Sequence, residues 1–386
     1  MHILINASFW HQPTVGTGQY LHGLVRWLPQ VAPQHRYTLL LPAAAETAPP
    51  PPPEVRSLVL RTPFDGRNAN LAKLWFEQVS VPVAARLIAG HAPTLLHVPY
   101  FAPPLRVGVP LITTVGDIIP LRLPEYRGGP HVRLYMALVQ QAVRQSNHIM
   151  TFSAFSGSDL ERYLHIPARS ITPTRLAAAE CYCAGDRTAA IHEVAERYGV
   201  RGPFVYYVGG LDARKNVATL LHAWAQLGAT RAGWELVIAG KALGKDRRLF
   251  PDYDTLIGTL GIGASVRRIQ VSHADGPLLY RACSIFAFPS RYEGFGLPPL
   301  EAMACGAPVI TSNASSLPEV VGAAAYLVEP DYLRGWVNAL GTLISHPADR
   351  ADLTARGYRQ AARFSWQRVA EETAAVYARN GGTGED

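Results

Sequence analysis

Short apolar runs alternate with helical patterns from the first residues of the chain. The opening MHILI is mostly apolar, which is typical of a strand buried on both faces. A glycine-rich turn follows at 14–18. The stretch after it places Tyr20, Leu21, Leu24 and Leu28 on one face of a helix. Strand, glycine turn and helix are the usual opening of a doubly wound α/β domain.

The same pattern continues and then starts again near residue 203. Further strands of the first series are predicted at 37–41, 57–61, 94–100, 110–117 and near 148. The second series is predicted at 203–208, 234–240, 266–272, 284–290 and 308–313, with helical patterns between the strands. Two βαβ series without a shared strand predict an α/β protein of two Rossmann-like, parallel-sheet domains, joined near 180–200. Residues 365–379 predict one amphipathic helix, and the tail after it is expected to fray.

Composition supports two domains and restricts the partners. The chain has 386 residues, 48% of them hydrophobic and 17% charged, so each half can bury a core. The formal net charge of +7 favours anionic partners. Four cysteines form no zinc pattern, the start MHILINASFW lacks the features of a signal peptide, and no apolar run is long enough to span a membrane. We therefore expect a reduced, cytoplasmic protein.

Two glutamates bracket a flexible segment in RYEGFGLPPLEAMACG. Gly294 and Gly296 let the backbone approach a ligand closely, and the prolines predict a helix start near Pro298 or Pro299. The free N–H groups at such a start attract phosphate. Glu301 is expected in the first turn, where it either stabilises the helix by about 0.3–1 kcal/mol or accepts hydrogen bonds from a ribose diol. Spacing alone leaves both roles open.

A second candidate site is the turn GGLDARKN at 209–216. It follows a predicted strand and brings Arg214 and Lys215 to the carboxyl edge of the sheet, where they either bind phosphate or remain solvated. The glycines at 16–18 are a weaker signal. Leu21 occupies the place of the third glycine in the dinucleotide fingerprint, so no nicotinamide cofactor is expected there.

Together, VGGLDARKN, the stretch from HADG to SSLPEV and the N-terminal GTGQY resemble the retaining glycosyltransferases of family 4, in particular their bacterial mannosyltransferase-like branch. The resemblance implies the GT-B fold, with two Rossmann-like domains facing each other across a cleft. It implies an acceptor-side domain at 1–180, a nucleotide-sugar-binding domain at 181–364, and a C-terminal segment 365–386 whose helix packs back on the first domain.

The resemblance also implies roles for individual residues. Glu301 corresponds to the ribose-binding glutamate, Glu293 to the glutamate near the donor sugar and phosphate, and Lys215, with its neighbour Arg214, to the pyrophosphate-binding cation. We expect Glu293, Lys215, Arg214 and Asp117 to be catalytic. The remaining donor-binding residues are expected to be Gly294, Phe295, Gly296, Leu297, Gly16, Gly18, Gly210 and His273.

One position departs from the family pattern. Relatives commonly carry His-Asp where this chain has Gly116-Asp117, so an imidazole near the reacting sugar is missing. We expect Asp117 or His97 to compensate, or turnover to be reduced.

The implied function is transfer of a sugar, mannose from GDP-mannose, to a growing polysaccharide or lipid-linked glycan with retention of configuration. UDP- and dTDP-sugars are alternative donors. Alternative functions are a sugar-nucleotide 2-epimerase of the same fold and a catalytically impaired donor-binding protein. No metal or other cofactor is expected, since DYD at 252–254 is better explained as a helix start. No nucleic-acid partner is expected, because the basic residues are scattered and do not interleave with aromatic ones. Peripheral contact with the anionic inner face of the cytoplasmic membrane is a further expectation.

Overall fold

The computed structural model describes residues 1–241, 244 and 246–381. Residues 382–386 of the predicted C-terminal segment 365–386 lie outside the described residues, as does most of the tail that was expected to fray.

Strands and helices alternate along the described chain. The strands are β1 (His2–Asn6), β2 (Arg36–Pro42), β3 (Val55–Leu60), β4 (Thr94–Val98), β5 (Leu111–Thr114), β6 (His148–Thr151), β7 (Ile171–Pro173), β8 (Phe204–Val208), β9 (Glu235–Ala239), β10 (Val266–Ile269), β11 (Ile285–Phe288), β12 (Val309–Ser312) and β13 (Ala325–Val328). The α-helices are α1 (Gly16–Val31), α2 (Ala69–Trp75), α3 (Val81–Ala89), α4 (Ile119–Arg122), α5 (Pro130–Arg144), α6 (Ala154–Leu164), α7 (Arg187–Tyr198), α8 (Val217–Gln226), α9 (Tyr253–Thr259), α10 (Gly276–Ala282), α11 (Leu297–Ala304), α12 (Leu317–Val321), α13 (Leu333–Ser345), α14 (Pro347–Ala361) and α15 (Trp366–Asn380). A π-helical turn, Phe76–Ser80, connects α2 to α3. Short 3₁₀ turns lie at Ala43–Ala45, Pro124–Tyr126, Ala168–Ser170, Ala213–Lys215, Gly228–Arg231, Gly263–Ser265 and His273–Asp275.

The chain forms two compact units. The first unit contains Met1–Leu176 together with the chain from Ser365 onward, and the second contains Ala177–Phe364. The chain enters the second unit shortly before the boundary expected after residue 180.

The first unit is built on a parallel sheet with the strand order β3-β2-β1-β4-β5-β6-β7. β1 pairs in parallel with β2 on one side and with β4 on the other. Its residues Ile3, Leu4 and Ile5 are completely buried because helices cover both faces of such a sheet. The sheet explains why the opening of the sequence is an apolar run instead of an alternating pattern.

The second unit repeats this architecture with the order β10-β9-β8-β11-β12-β13, and all of its strand pairs are parallel. β8 lies between β9 and β11, so the chain reverses its direction of travel across the sheet at this strand. Ligands of open α/β sheets bind at the carboxyl ends of strands beside such a reversal. The predicted fold class of two Rossmann-like, parallel-sheet domains is confirmed, and β8 and β11 mark where a site is expected.

Helix α15 completes the first unit from the far end of the sequence. It packs on α1, where Gly23 leaves room for the indole of Trp366: a Cβ at Gly23 would lie 2.4 Å from the ring. The hydroxyl of Tyr377 on α15 lies 2.7 Å from Nδ1 of His97 on β4. Both α1 and the sheet therefore hold this helix.

Candidate active site

Four charged side chains meet at the carboxyl ends of the adjacent strands β8 and β11. Nζ of Lys215 lies 2.6 Å from Oε1 of Glu293, and Nη1 of Arg214 lies 3.1 Å from the same oxygen. Nε of Arg214 is also 3.4 Å from Oδ1 of Asp212. All four side chains are largely buried, with 11–12% of their surface exposed. Two cations and two carboxylates thus form one compact cluster, which we call the sheet-edge cluster.

Local structure explains how these residues come together. The 3₁₀ turn Ala213–Lys215 follows β8 and ends at Asn216, whose φ of 57° lies in the left-handed region that asparagine tolerates. Nη1 of Arg214 donates a hydrogen bond to the carbonyl of Tyr292, 2.6 Å away. Ser290, just after β11, donates its hydroxyl to Oε1 of Glu293. The two strand-end loops are therefore connected through both backbone and side chains.

The protonation of the cluster follows from its charges. Burial disfavours the ionised form of Glu293, but Lys215 and then Arg214 outweigh this effect and hold the pKa of Glu293 below its ordinary value. Burial also lowers the pKa of Lys215, and Glu293 counteracts that shift. Glu293 is therefore ionised at neutral pH and neutralises only part of the positive charge beside it.

The segment from Glu293 into α11 is fixed by two serines. The backbone N–H of Glu293 donates to Oγ of Ser315 at 2.9 Å, and Ser316 donates its hydroxyl to the carbonyls of Glu293 and Phe295. Gly296 has a φ of 121°, and a Cβ there would lie 2.8 Å from Leu317. A residue other than glycine would be strained in backbone conformation and in packing, so this turn requires Gly296.

Helix α11 begins at Leu297, one residue before the expected start. Glu301 is consequently the fifth helical residue, and the expectation that it lies in the first turn and stabilises the helix terminus there is wrong. Its side chain is buried, with 7% of the residue exposed, and Tyr280 donates its hydroxyl to Oε2 at 3.1 Å. Burial raises the pKa of Glu301 to about 7, so this carboxyl changes protonation near neutral pH.

A cavity of about 480 Å³ opens at the carboxyl ends of β8, β9 and β10. A Cβ at Gly240 would lie 2.1 Å from the carbonyl oxygen of Gly209, so the turns after β8 and β9 approach each other closely here. Gly210 follows directly and accepts a hydrogen bond from Tyr207. The cavity is lined by Val208, Gly209, Ala239, Gly240, Lys241, Gln270, Val271 and Ser272.

His273 lies beside this cavity as the first residue of the 3₁₀ turn His273–Asp275, which the hydroxyl of Ser272 caps by accepting from the N–H of Asp275. Sequence reasoning had not singled out Gln270, Lys241 or Ser272. They could have been found from the predicted ends of the strands β9 and β10, because the carboxyl ends of neighbouring parallel strands share one sheet edge.

Four of the candidate residues belong to the first unit: Gly16, Gly18, His97 and Asp117. The expected glycine loop is instead the beginning of α1, which starts at Gly16. Gly16 is exposed, whereas Gly18 is buried: a Cβ there would lie 1.9 Å from the carbonyl oxygen of Gln12. The structure thus gives Gly18 a packing role. Asp117 follows β5 and accepts a hydrogen bond from the backbone N–H of Ile119, 3.1 Å away.

The side-chain space of the missing histidine is occupied. A Cβ at Gly116 would lie 2.7 Å from the ring of Phe152, so that ring takes the volume next to the strand end. His97 does not compensate. It is completely buried, its Nε2 lies 2.7 Å from the Thr114 hydroxyl, its Nδ1 contacts Tyr377, and burial lowers its pKa to about 3. Both nitrogens of this neutral imidazole are bonded inside the unit, so the expectation that His97 compensates is wrong, whereas compensation by Asp117 and reduced turnover stay predictions.

Comparison with known proteins agrees with the two-unit architecture. The model of the family described as Glycosyltransferase Family 4 matches residues 15–173, and the model described as Glycosyl transferases group 1 matches 194–360. The chain is 33% identical over 289 residues to the O-antigen chain mannosyltransferase B of Escherichia coli. The aligned region covers 73% of this chain and 74% of that protein. The chain belongs to the family 4 glycosyltransferases.

Other relatives of this glycosyltransferase are also bacterial sugar-transferring enzymes. A serotype-specific mannosyltransferase, WbdA, of Escherichia coli is 30% identical over 261 residues, which is 66% of this chain but 31% of the longer WbdA chain. Like them, the protein is a hexosyltransferase, and the assignment to the mannosyltransferase-like branch is confirmed.

Solved structures confirm the GT-B fold of the glycosyltransferase. The sucrose-phosphate synthase of Thermosynechococcus elongatus superimposes with a TM-score of 0.75 at 19% identity, covering 98% of each chain. HepE of Anabaena, in complex with UDP and glucose, gives a TM-score of 0.74 at 19% identity, covering 98% of this chain and 100% of its own. Among the residues described, no helix of the glycosyltransferase is long and apolar enough to cross a membrane.

Proposed function

We propose that this glycosyltransferase is a retaining enzyme that transfers mannose from GDP-mannose to a growing polysaccharide or lipid-linked glycan. The sheet-edge cluster is the observation that carries the proposal. It brings Lys215 and Arg214 to the carboxyl edge beside the strand reversal, the position where a nucleotide diphosphate is expected. The mannose assignment rests on curated relatives that are named mannosyltransferases.

The chemistry requires stabilisation of a leaving group. The bond between the anomeric carbon and the diphosphate oxygen breaks, and the diphosphate departs with the electron pair. The acceptor hydroxyl oxygen bonds to the anomeric carbon on the same face, and its proton passes to the departing phosphate oxygen. Lys215 and Arg214 oppose the charge that develops on the diphosphate. Preorganised donors of this kind contribute roughly 3–4 kcal/mol each to a transition state.

Glu293 has a positioning role in this scheme. Its carboxylate contacts both cations, with 2.6 Å to Lys215 and 3.1 Å to Arg214, and so holds them at the sheet edge before substrate arrives. Asp212 contacts Arg214 as well, so the two carboxylates hold the two cations in place while the remaining N–H groups of Lys215 and Arg214 can donate to the diphosphate. The N–H groups at Gly294, Phe295, Gly296 and Leu297, which precede or open α11, supply further donors in the proposal.

Glu301 is proposed to accept hydrogen bonds from the ribose diol. Tyr280 donates its hydroxyl to Oε2, and no other side-chain donor among the described residues contacts the carboxyl, so Oε1 in its ionised form can accept from a ligand hydroxyl. Because two fixed cations already oppose the diphosphate charge, we propose that the enzyme requires no metal ion or other cofactor.

The decisive experiment presents GDP-, UDP- and dTDP-sugars to the purified enzyme. GDP-mannose is expected to raise the melting temperature most and to release GDP in the presence of a mannan or lipid-linked acceptor, with or without chelator. A shift with UDP-sugars alone would overturn the donor assignment. Binding without release of the nucleotide would favour the donor-binding alternative, to which the ring of Phe152 beside Gly116 gives structural support. An altered free nucleotide sugar would identify an epimerase.

We also propose that the first unit contacts an anionic membrane surface through α5 and the neighbouring α2–α3 segment. In α5, Leu134 is 65% exposed and Leu138 is 44% exposed. α5 contains Arg133 and Arg144 but no acidic residue, which complements anionic lipid. Its Tyr135 hydroxyl contacts Glu77 of the π-helical turn at 3.3 Å, so α5 lies next to the α2–α3 segment.

The α2–α3 segment extends this apolar surface. Its exposed side chains include Trp75 at 38%, Val83 at 48% and Leu87 at 69%. Sedimentation with phosphatidylglycerol vesicles tests the proposal: Leu134→Ser is expected to weaken binding, and the matched exposed position Leu327→Ser in the second unit is not. If the parent protein does not bind the vesicles and Leu134→Ser instead dissociates an oligomer, the surface binds a second copy of the chain.

A further inference from the structure

A second cavity, of about 300 Å³, lies at the opposite edge of the second sheet. Ser284 and Pro308, which precede β11 and β12, line it, so it opens at the amino ends of these strands. The sheet-edge cluster lies at their carboxyl ends. Helix α11 extends from the carboxyl edge to Cys305 in the cavity wall, and its eight residues correspond to about 12 Å. The two sites are therefore distinct.

Three arginines, Arg187, Arg281 and Arg350, line this cavity. Arg187 donates to the carbonyl of Cys283 at 2.7 Å and to the Ser284 hydroxyl at 3.3 Å. Arg281 donates through Nε to the carbonyl of Cys183 at 2.9 Å. Each guanidinium is thus held in place by partners that carry no charge.

Arg350 is held in the same way. Its Nη1 donates to the carbonyls of Leu343 and Ile344 at the end of α13, and its guanidinium lies 5.4 Å from the centre of the Trp234 ring. Arg187 and Arg350 line the same cavity, and burial, followed by the positive charge of Arg187, lowers the pKa of Arg350.

Within the described residues, no carboxylate neutralises the positive charge of the cavity. None of the three arginines forms an ion pair with a carboxylate in the described part of the chain, and no acidic residue is among those lining the cavity. Arginines anchored through some of their N–H groups keep others for a ligand, since each guanidinium has five. A bound anion would offset the positive charge and use donors that are already oriented.

We propose that this cavity is a second, non-catalytic site that binds the phosphoryl group of a small ligand. Guanidinium groups match phosphate geometry through paired N–H donors, and three of them suit a group with two negative charges. The volume is at the lower end of ordinary small-molecule sites, which fits a phosphate, a pyrophosphate or a small phosphorylated metabolite.

Calorimetric titration of the full-length protein with inorganic phosphate and with pyrophosphate, at constant ionic strength, tests the proposal. We expect saturable binding that Arg350→Gln and Arg187→Gln each weaken by about tenfold or more, because each removes one charged donor. The matched control is Arg359→Gln, an exposed arginine on the same helix α14 that does not line the cavity. Lys215→Ala, which alters the sheet-edge cluster, is expected to leave this binding unchanged.

Several results would overturn the proposal. One is that the protein binds neither anion saturably and does not bind phosphatidylglycerol vesicles. Another is that the parent and the Arg350→Gln protein have equal affinity. Affinity lost in Lys215→Ala but kept in Arg350→Gln would show that the probe reads the donor site instead. Because Arg187 caps α10 and its loss could impair folding, Arg281→Gln provides an independent variant, with melting curves to confirm folding. Binding that occurs only with the vesicles and disappears in Arg350→Gln would assign the phosphoryl group to a lipid.

Discussion

Two glutamates in one short segment have opposite protonation behaviour. Glu293 contacts two cations and keeps its pKa below the ordinary value, whereas Glu301 has a tyrosine hydroxyl as its hydrogen-bond donor, and burial raises its pKa to about 7. At neutral pH the first is a fixed charge and the second is near its midpoint. This difference assigns the charge-balancing role to Glu293 and makes Glu301 the residue through which pH acts on ligand binding.

The nucleotide affinity of the enzyme should depend on Glu301 and on pH. A carboxylate accepts hydrogen bonds from a diol better than a carboxylic acid does, so the affinity for GDP is expected to rise as pH increases through about 7. Glu301→Gln should weaken binding at pH 8 by about tenfold and show little pH dependence. Calorimetric dissociation constants at pH 6, 7 and 8 provide the measurement. An identical pH profile in both proteins would exclude this role for Glu301.

The same carboxyl should affect stability in the opposite direction. Its pKa in the folded protein is raised, so its stabilising contribution is fully present below about pH 4.5 and is lost as pH rises through about 7. At pH 8, the free energy of unfolding of Glu301→Gln should therefore exceed that of the parent, by up to about 3 kcal/mol. Urea unfolding at pH 8 serves as a folding control for the binding experiment.

Lys215→Ala should reduce turnover more than stability. Loss of one leaving-group donor is expected to lower kcat by about 10²–10³-fold. Glu293 retains Arg214 and Ser290, so the loss of stability should be smaller than the about 3–5 kcal/mol that an unpaired buried charge costs. Arg267→Ala, which removes a paired cation from β10, is the matched control and should leave kcat unchanged. A Lys215→Ala enzyme with parental kcat would contradict the assignment.

At this scale the sequence predicted which residues follow which strands. Lys215 and Glu293 could be placed at strand ends because glycine turns interrupt apolar runs at both points. Their contact could not be inferred, since it depends on β8 and β11 being neighbours and on Ser290, Ser315 and Ser316 orienting the loops. The burial of His97 was equally hidden, because a histidine within an apolar strand gives no sign of what packs against its ring.

Among the elements, α15 and α1 show how a single glycine sets a packing distance. Gly23→Ala would place a methyl group 2.4 Å from the indole of Trp366, so it is expected to destabilise the protein by about 1–3 kcal/mol. Gly258→Ala, within α9 and with no atom near its Cβ position, should instead stabilise by about 0.5–1 kcal/mol. Denaturant midpoints of the two variants test the contact. Equal, small effects would show that the helices separate at little cost.

Periodicity predicted the existence of most elements better than their ends. α1 and α11 both begin earlier than expected, at Gly16 and Leu297, because glycine and proline are tolerated in a first helical turn when tertiary packing supports it. The short strands β7 and β13 were not predicted. Each has only three or four residues, too few to show a period, and pairs with one neighbouring strand at a sheet edge.

For the whole molecule, the two units differ in how continuous their sequences are. The second unit, Ala177–Phe364, is one uninterrupted stretch that contains Lys215, Glu293 and Glu301. The first unit needs α15, which reaches it from the C-terminal end of the chain. The repeated strand–helix pattern predicted two parallel sheets because each repeat has to bury its own apolar strands.

Residues 177–364 expressed alone should fold and bind GDP within about tenfold of the full-length affinity. The side chains proposed to bind the nucleotide, Lys215, Arg214 and Glu301, all lie in this segment. Residues 1–176 alone should be unstable, because removal of α15 exposes Gly23 and the buried His97. Circular dichroism and GDP titration of the two segments provide the test. A stable first segment and an unfolded second one would reverse this assignment.

The position of α15 has a consequence for synthesis on the ribosome. The partner of α1 and of His97 is translated only after the entire second unit, which at typical rates of about 5–20 residues per second takes roughly 10–40 s. During that interval the nascent first unit exposes the groove that Trp366 later fills, while the second unit can already fold. The segment translated first is therefore the one completed last, and a chaperone acting on the nascent chain would be expected to engage the open face of α1.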